Sequence, residues 1–82
     1  MPAIYLKVRN PDDIVFEGEV EAISSLNKVG KFDILDTHSN FISLIQESLL
    51  FTRQGRQEEI KVNNGVLKVK ENKVFVYLGV KK

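Results

Sequence analysis

Asn40-Phe41-Ile42-Ser43-Leu44-Ile45-Gln46-Glu47-Ser48-Leu49-Leu50-Phe51-Thr52-Arg53-Gln54 is the stretch whose conformation settles the fold class. It contains no glycine or proline. Phe41, Leu44, Ile45 and Leu49 stand at helical spacing, and Ser39 or Asn40 is available as an N-cap. By period alone a helix is nearly as ready a reading there as two strands, the second covering Leu49 to Arg53. Short apolar runs do not separate the two by period alone. The rest of the chain carries strand signals.

On the N-terminal side, Gly30 to Ile45 is the least repetitive part of the sequence. Phe32, Ile34 and Leu35 lead into the polar knot Asp36-Thr37-His38-Ser39-Asn40, and the apolar run Phe41 to Ile45 follows. A polar segment between two apolar ones predicts a surface loop pinned at both ends, since its backbone groups must stay in water. Further upstream, Ile4, Leu6 and Val8 alternate with more polar residues at period 2, as in a half-buried strand. Asn10-Pro11-Asp12-Asp13 is turn chemistry, with Asp capping its own backbone. Ile14 to Phe16 resumes the strand, and Gly18 predicts a bulge or bend. Glu17, Glu19 and Glu21 then share one side of an extended chain, a solvated face that discourages edge pairing. Ala22 to Leu26 and Lys31 to Leu35 are strands around the turn Asn27-Lys28-Val29-Gly30.

On the C-terminal side, Gln54-Gly55-Arg56 is a turn and Glu58 to Val62 the return strand. Asn63-Asn64-Gly65 is a turn signal because Asn-Gly tolerates positive φ. It either closes a hairpin or bends one long strand between sheets. In Val66 to Lys70, Leu67 and Val69 face inward and Lys68 and Lys70 outward. Glu71-Asn72 is a turn. Lys73 to Leu78 alternates Val74, Val76 and Leu78 with Phe75 and Tyr77, so both faces of that strand are expected to be covered. Ten Val and seven Ile in 82 residues fit this strand-rich pattern. Many short strands with turns between them predict a β-sandwich or barrel.

The totals bound the possibilities. Residues 1–82 make one domain. A chain of this size buries only about 60–65% of its unfolded surface, so its stability is marginal. With no cysteine there is no disulfide and no thiolate metal site. A net charge of +1 gives no electrostatic case for nucleic acid. Residues 1–41 carry −3 and residues 42–82 carry +4, which suits complementary contact within the fold or with another protein. No signal peptide pattern opens the chain, and no apolar run is long enough to span a bilayer.

Site chemistry is sparse. Asp33, Asp36 and His38 could form a hard-metal or zinc cluster, but the set lacks a second histidine or any cysteine. No metal and no cofactor is therefore expected. Ser39 beside His38 does not make a nucleophile and base, because the base must reach the hydroxyl from another element. The glycines are scattered, so there is no phosphate loop. No catalytic residue is expected, and His38 is read as ordering its loop or packing against a partner.

Three segments bring a family into view. Val15-Phe16-Glu17-Gly18-Glu19-Val20-Glu21-Ala22-Ile23 resembles the VFEGEV segment that opens the epsilon subunit of F-type ATP synthases. Gly30-Lys31-Phe32-Asp33-Ile34-Leu35-Asp36-Thr37-His38 is similar to that family's GEFGILPGH. Gly65 to Val69, followed by Asn72-Lys73-Val74, looks like its GGFLEV…NKV ending. The matches keep order and spacing from Leu6 to Leu78.

The resemblance implies an all-β, flattened β-sandwich of about ten short, mostly antiparallel strands, with residues 40–54 as strands rather than helix. It also implies a role. This would be a non-catalytic rotor subunit that joins the gamma subunit to the membrane c-ring and keeps ion translocation coupled to ATP synthesis. It would be peripheral to the membrane, on the cytoplasmic face in a bacterium, without inserting and without nucleic acid. Gly30, Lys31, Phe32, His38 and Ser39 would lie in the loops facing the ring and gamma. Departures are specific. Asp36-Thr37 replaces Pro-Gly before the histidine, Lys31 replaces an acid, Asn64 replaces a glycine, and the Pro-Gly turn near Glu47-Ser48 is missing. The family's two inhibitory C-terminal helices, and any ATP binding through them, are not expected with the last residue at Lys82. The lost turns and Lys31 motivate an alternative, a free-standing β-sandwich binding or regulatory domain.

Overall fold

In the computed structural model, which describes residues 4–34 and 40–79, the deciding stretch is one strand, Phe41–Arg53. The strands are β1 (Ile4–Arg9), β2 (Ile14–Val20), β3 (Ala22–Leu26), β4 (Lys31–Ile34), β5 (Phe41–Arg53), β6 (Arg56–Lys70) and β7 (Lys73–Leu78). They hydrogen-bond in the order β2-β1-β7-β6-β5-β3-β4. Every pairing is antiparallel except β1 with β7.

This sheet folds over on itself. The core unites Leu6 and Val8 of β1, Ile23 of β3, Leu49 and Phe51 of β5, Leu67 of β6, and Val74 and Val76 of β7. Edge strand β2 crosses onto β5, where the Phe16 and Phe51 rings stand 4.5 Å apart and the Arg53 guanidinium lies 5.2 Å from the Phe16 ring centre. Two layers closed around one core make a sandwich, 37 × 26 × 19 Å overall. Seven strands are seen among the described residues rather than about ten, because β5 and β6 each run through both layers.

The fold-over is built into the β5–β6 hairpin. Its ladder is regular from Arg53↔Arg56 to Glu47↔Val62, then shifts register before Ile45↔Gly65. Glu47 takes a φ of +70°, and the β3–β5 ladder shifts at the same level, between Ser25 and Leu26. Buried Ser25 donates its hydroxyl to the Ser48 carbonyl at 2.8 Å, which anchors the bulge to β3.

Asn63-Asn64-Gly65 bends a long strand rather than closing a hairpin, and it makes no type I′ turn. Neither Asn64 nor Gly65 has a positive φ. A Cβ on Gly65 would stand 3.2 Å from Ile45 Cγ1, Val62 Cγ1 and the Tyr77 carbonyl, so close approach is what requires glycine there.

Three other expectations are corrected. Gly18 pairs with Leu6 in an unbroken ladder, and the bulge lies further along, where Val8 and Arg9 oppose Phe16 and Ile14 and leave Val15 extra. Gly18 makes room for Phe16, whose ring edge lies 3.4 Å from the place of a Cβ. The first turn is capped by Asn10, not by an aspartate: its Oδ1 accepts from the Asp12 and Asp13 amides at 2.9 and 2.7 Å. Among the described residues strand β7 is covered on one side only. Phe75 packs sideways, edge-on to Tyr5 at 6.3 Å, and Tyr77 is exposed.

Candidate interaction surface

The turn ahead of Gly30 is tightly bonded. The Asn27 side chain accepts from the Val29 and Gly30 amides at 2.9 and 3.1 Å, and the Asn27 and Gly30 main chains exchange bonds at 3.0 and 3.2 Å. Gly30 has a φ of +144°, which an L side chain rarely adopts. This turn holds Lys28 and Lys31 in solvent and leaves Val29 97% exposed at the tip. Phe32 is half-buried, edge-on to Phe41 at 6.4 Å. Gly30, Lys31 and Phe32 therefore belong to one small hairpin.

His38 and Ser39 lie outside the described residues, as do Asp36 and His38 of the metal trio. Asp33 faces outward on β4 and accepts from the Ser24 hydroxyl across the ladder at 2.5 Å. Among the described residues no three His, Cys, Asp or Glu side chains are grouped as a metal would need.

The structure also presents a surface that the sequence reasoning missed. The outer face of β5, β6, β7, β1 and β2 is open among the described residues. Cross-strand registers place Leu44, Val66, Tyr77, Arg9 and Ile14 in one row across it. The adjacent row is Ile42, Lys68, Phe75, Lys7 and Glu17, and beyond it come Lys70, Lys73, Tyr5 and Glu19. Ile42 is 68% exposed, Leu44 65% and Tyr77 41%. A strand whose outward positions are apolar signals a second partner for that strand. The signal was present in the unbroken run Phe41 to Ile45 and in Phe75 and Tyr77. The other outer face, with Asp33, Ser24, Leu50 and Glu59 in one row and Ala22, Thr52 and Gln57 in the next, is smaller and mostly polar.

Charge on the open face is lopsided. Lys7, Arg9, Lys68, Lys70 and Lys73 make no ion pair among the described residues, where the pairs are Arg53–Glu58 at 3.1 Å and Lys61–Glu59 at 3.7 Å. Glu17 accepts a hydrogen bond from the Tyr5 hydroxyl. That bond, with burial and the negative charge of Glu17 behind it, raises the Tyr5 hydroxyl above its ordinary value of 10.0. The surface is an apolar row flanked by cations, suited to a protein partner with apolar and acidic groups.

Comparison with known proteins agrees with this architecture. The chain is 37% identical over 73 residues to the ATP synthase epsilon chain of Clostridium novyi, covering 87% of this chain and 56% of that protein. It is 27% identical over 74 residues to the ATP synthase epsilon chain of Nitratiruptor sp., covering 88% and 57%. The chain thus spans just over half the length of these curated relatives. Among solved structures, a chain of the Euglena gracilis mitochondrial ATP synthase (OSCP/F1/c-ring) superposes with a TM-score of 0.84 at 18% identity, covering 93% of this chain and 50% of that one. A chain of the Tetrahymena thermophila mitochondrial ATP synthase central stalk and c-ring superposes at 0.75 with 8% identity, covering 92% and 62%. At these identities the superpositions establish the fold. The sequence profile of the ATP synthase delta/epsilon chain β-sandwich domain matches residues 3–78, so the chain belongs to that family.

Proposed function

We propose that this chain acts, as one domain, as a non-catalytic central-stalk subunit of an F-type ATP synthase. It would link the gamma subunit to the membrane c-ring and help couple ion translocation to ATP synthesis. The observation that carries this is the family match over residues 3–78, with relatives that are ATP synthase epsilon chains. The fold suits the role. A sandwich whose two layers share the long strands β5 and β6 is stiff, because twisting one layer against the other must break a continuous ladder.

The open apolar and basic face is the seat for gamma, since it is the face that still needs apolar cover. The hairpin carrying Gly30, Lys31 and Phe32, together with His38 and Ser39, addresses the polar loops of the ring. The chain is peripheral to the membrane, on the cytoplasmic side in a bacterium, and is held there by its partners.

Calorimetric titration of the chain with purified gamma subunit from the same organism tests the assignment. Saturable one-to-one binding is the expected result. A folded chain that does not bind gamma would overturn it in favour of a free-standing binding domain.

A further inference from the structure

On the open face, Lys7 and Arg9 of β1 stand opposite Phe75 and Tyr77 of β7. These four side chains enclose a recess of about 130 Å³. Two cations at alternate strand positions are about 7 Å apart along the strand, a gap that a single carboxylate bridges with an oxygen toward each. Neither cation is paired within the described fold. Across the ladder from Lys7 is Glu17, whose carboxylate is engaged by Tyr5, and across from Arg9 is Ile14. Arg9 Nε reaches the Asn10 carbonyl at 3.4 Å, which leaves the outer edge of its guanidinium open. Half-buried Phe75 on one wall lowers the polarity of the recess, so an anion placed there is held more strongly than on an open surface.

We propose that this recess is a socket for one glutamate or aspartate side chain on a helix of the protein partner, and that it sets the partner's orientation on the face. The inference rests on the stalk assignment, and gamma is the occupant. The socket opens onto the apolar row of Tyr77, Val66 and Leu44, so its occupant must also bring apolar cover. A small free anion brings none. Five strands set that row about 19 Å long. About thirteen residues of α-helix match that length. A helix with an apolar stripe and a carboxylate near one end therefore fits both features. Polarity is set by the socket, because Lys7 and Arg9 stand on β1, one strand from the β2 end of the row, and exposed Leu44 stands at the β5 end.

The test is calorimetric binding to gamma from the same organism, at about 0.1 M and about 1 M NaCl, over which the Debye length falls from about 10 Å to about 3 Å. The unmodified chain is compared with Lys7→Gln/Arg9→Gln and Lys7→Glu/Arg9→Glu, each confirmed folded by its thermal transition. The neutral pair is expected to weaken binding about tenfold at low salt and to show a smaller salt dependence than the unmodified chain, which keeps all five cations of the face. The reversed pair is expected to weaken it more. One gamma variant from a panel with single surface carboxylates changed to lysine should restore binding to the reversed pair alone.

Unchanged affinity and salt dependence in both pairs, with the unmodified chain binding gamma, would overturn the socket and leave the stalk assignment standing. Weakening that no gamma variant rescues would also overturn it as a specific carboxylate site. Failure of the unmodified chain to bind gamma would overturn the stalk assignment and this occupant together.

Discussion

Tyr5 and Glu17 show how one cross-strand contact shapes the face around it. The Tyr5 hydroxyl donates to Glu17 from the neighbouring strand, and its ionisation is pushed up, first by that bond, then by burial and by the carboxylate's charge. Removing the acceptor should reverse this. Glu17→Ala is expected to return the Tyr5 transition toward 10.0, followed by the phenolate absorbance of the protein with Tyr77 replaced by Phe. The sign for stability follows from linkage. A raised folded-state value means that Tyr5 adds stability below its unfolded value, and that this contribution is lost as pH rises through the folded value. Alkaline titration should therefore destabilise the parent more than Tyr5→Phe. The contact holds one Glu17 oxygen at Tyr5, and among the described residues no ion pair joins Glu17 to Lys7 across the ladder.

At the scale of elements, the β5–β6 hairpin decides the shape, and two residues at its bend carry the geometry. Glu47 holds a left-handed conformation that costs a non-glycine residue about 1–2 kcal/mol, partly offset by the greater chain entropy glycine loses on folding. Glu47→Gly is expected to stabilise the domain by about 0.5–1 kcal/mol in chemical denaturation. Gly65 is the opposite case. Its φ is ordinary, but an added methyl would press on Ile45, Val62 and the Tyr77 carbonyl at 3.2 Å. Gly65→Ala should destabilise by about 1–3 kcal/mol, an overpacking cost read from the same denaturation curves. The missing Pro-Gly turn near Glu47-Ser48 is thus met by a bulge that Glu47 occupies at some cost and Ser25 fastens to β3.

The whole molecule divides its apolar residues between folding and binding. Leu67 lies fully buried in the shared core, whereas Ile42 and Leu44, on either side of its cross-strand partner Ser43, stand in solvent. Leu67→Ala should cost about 2–5 kcal/mol of stability, a large share for a domain of this size. Ile42→Thr and Leu44→Thr place β-branched side chains, which suit a strand, at surface positions and should each change stability by less than about 0.5 kcal/mol. Together they are expected to weaken gamma binding about tenfold, which corresponds to about 1.4 kcal/mol. Full retention of gamma binding in the doubly substituted chain would show that the apolar row is not the seat.

The sequence by itself determined the strand identity of most segments, the inward set of Leu67, Val69, Val74 and Val76, and the turns at Asn27–Gly30, Gln54-Gly55 and Glu71-Asn72. It did so because period-2 alternation and turn chemistry are local properties of a few neighbouring residues. It also determined the family, through three segments in order. It left Phe41–Arg53 open between helix and strand, because an apolar run satisfies both periods until neighbours supply a ladder. It misplaced the bulge at Gly18 and the reason for Gly65, because register shifts and close approaches depend on the strand opposite. Only the tertiary structure decided that β5 and β6 bend together between layers, that Ile42, Leu44 and Tyr77 remain outside, and that Lys7 and Arg9 meet Phe75 and Tyr77. Those facts join residues dozens of positions apart. They are set by which strand lies beside which, and the parallel pairing of β1 with β7 is not a local property of either strand.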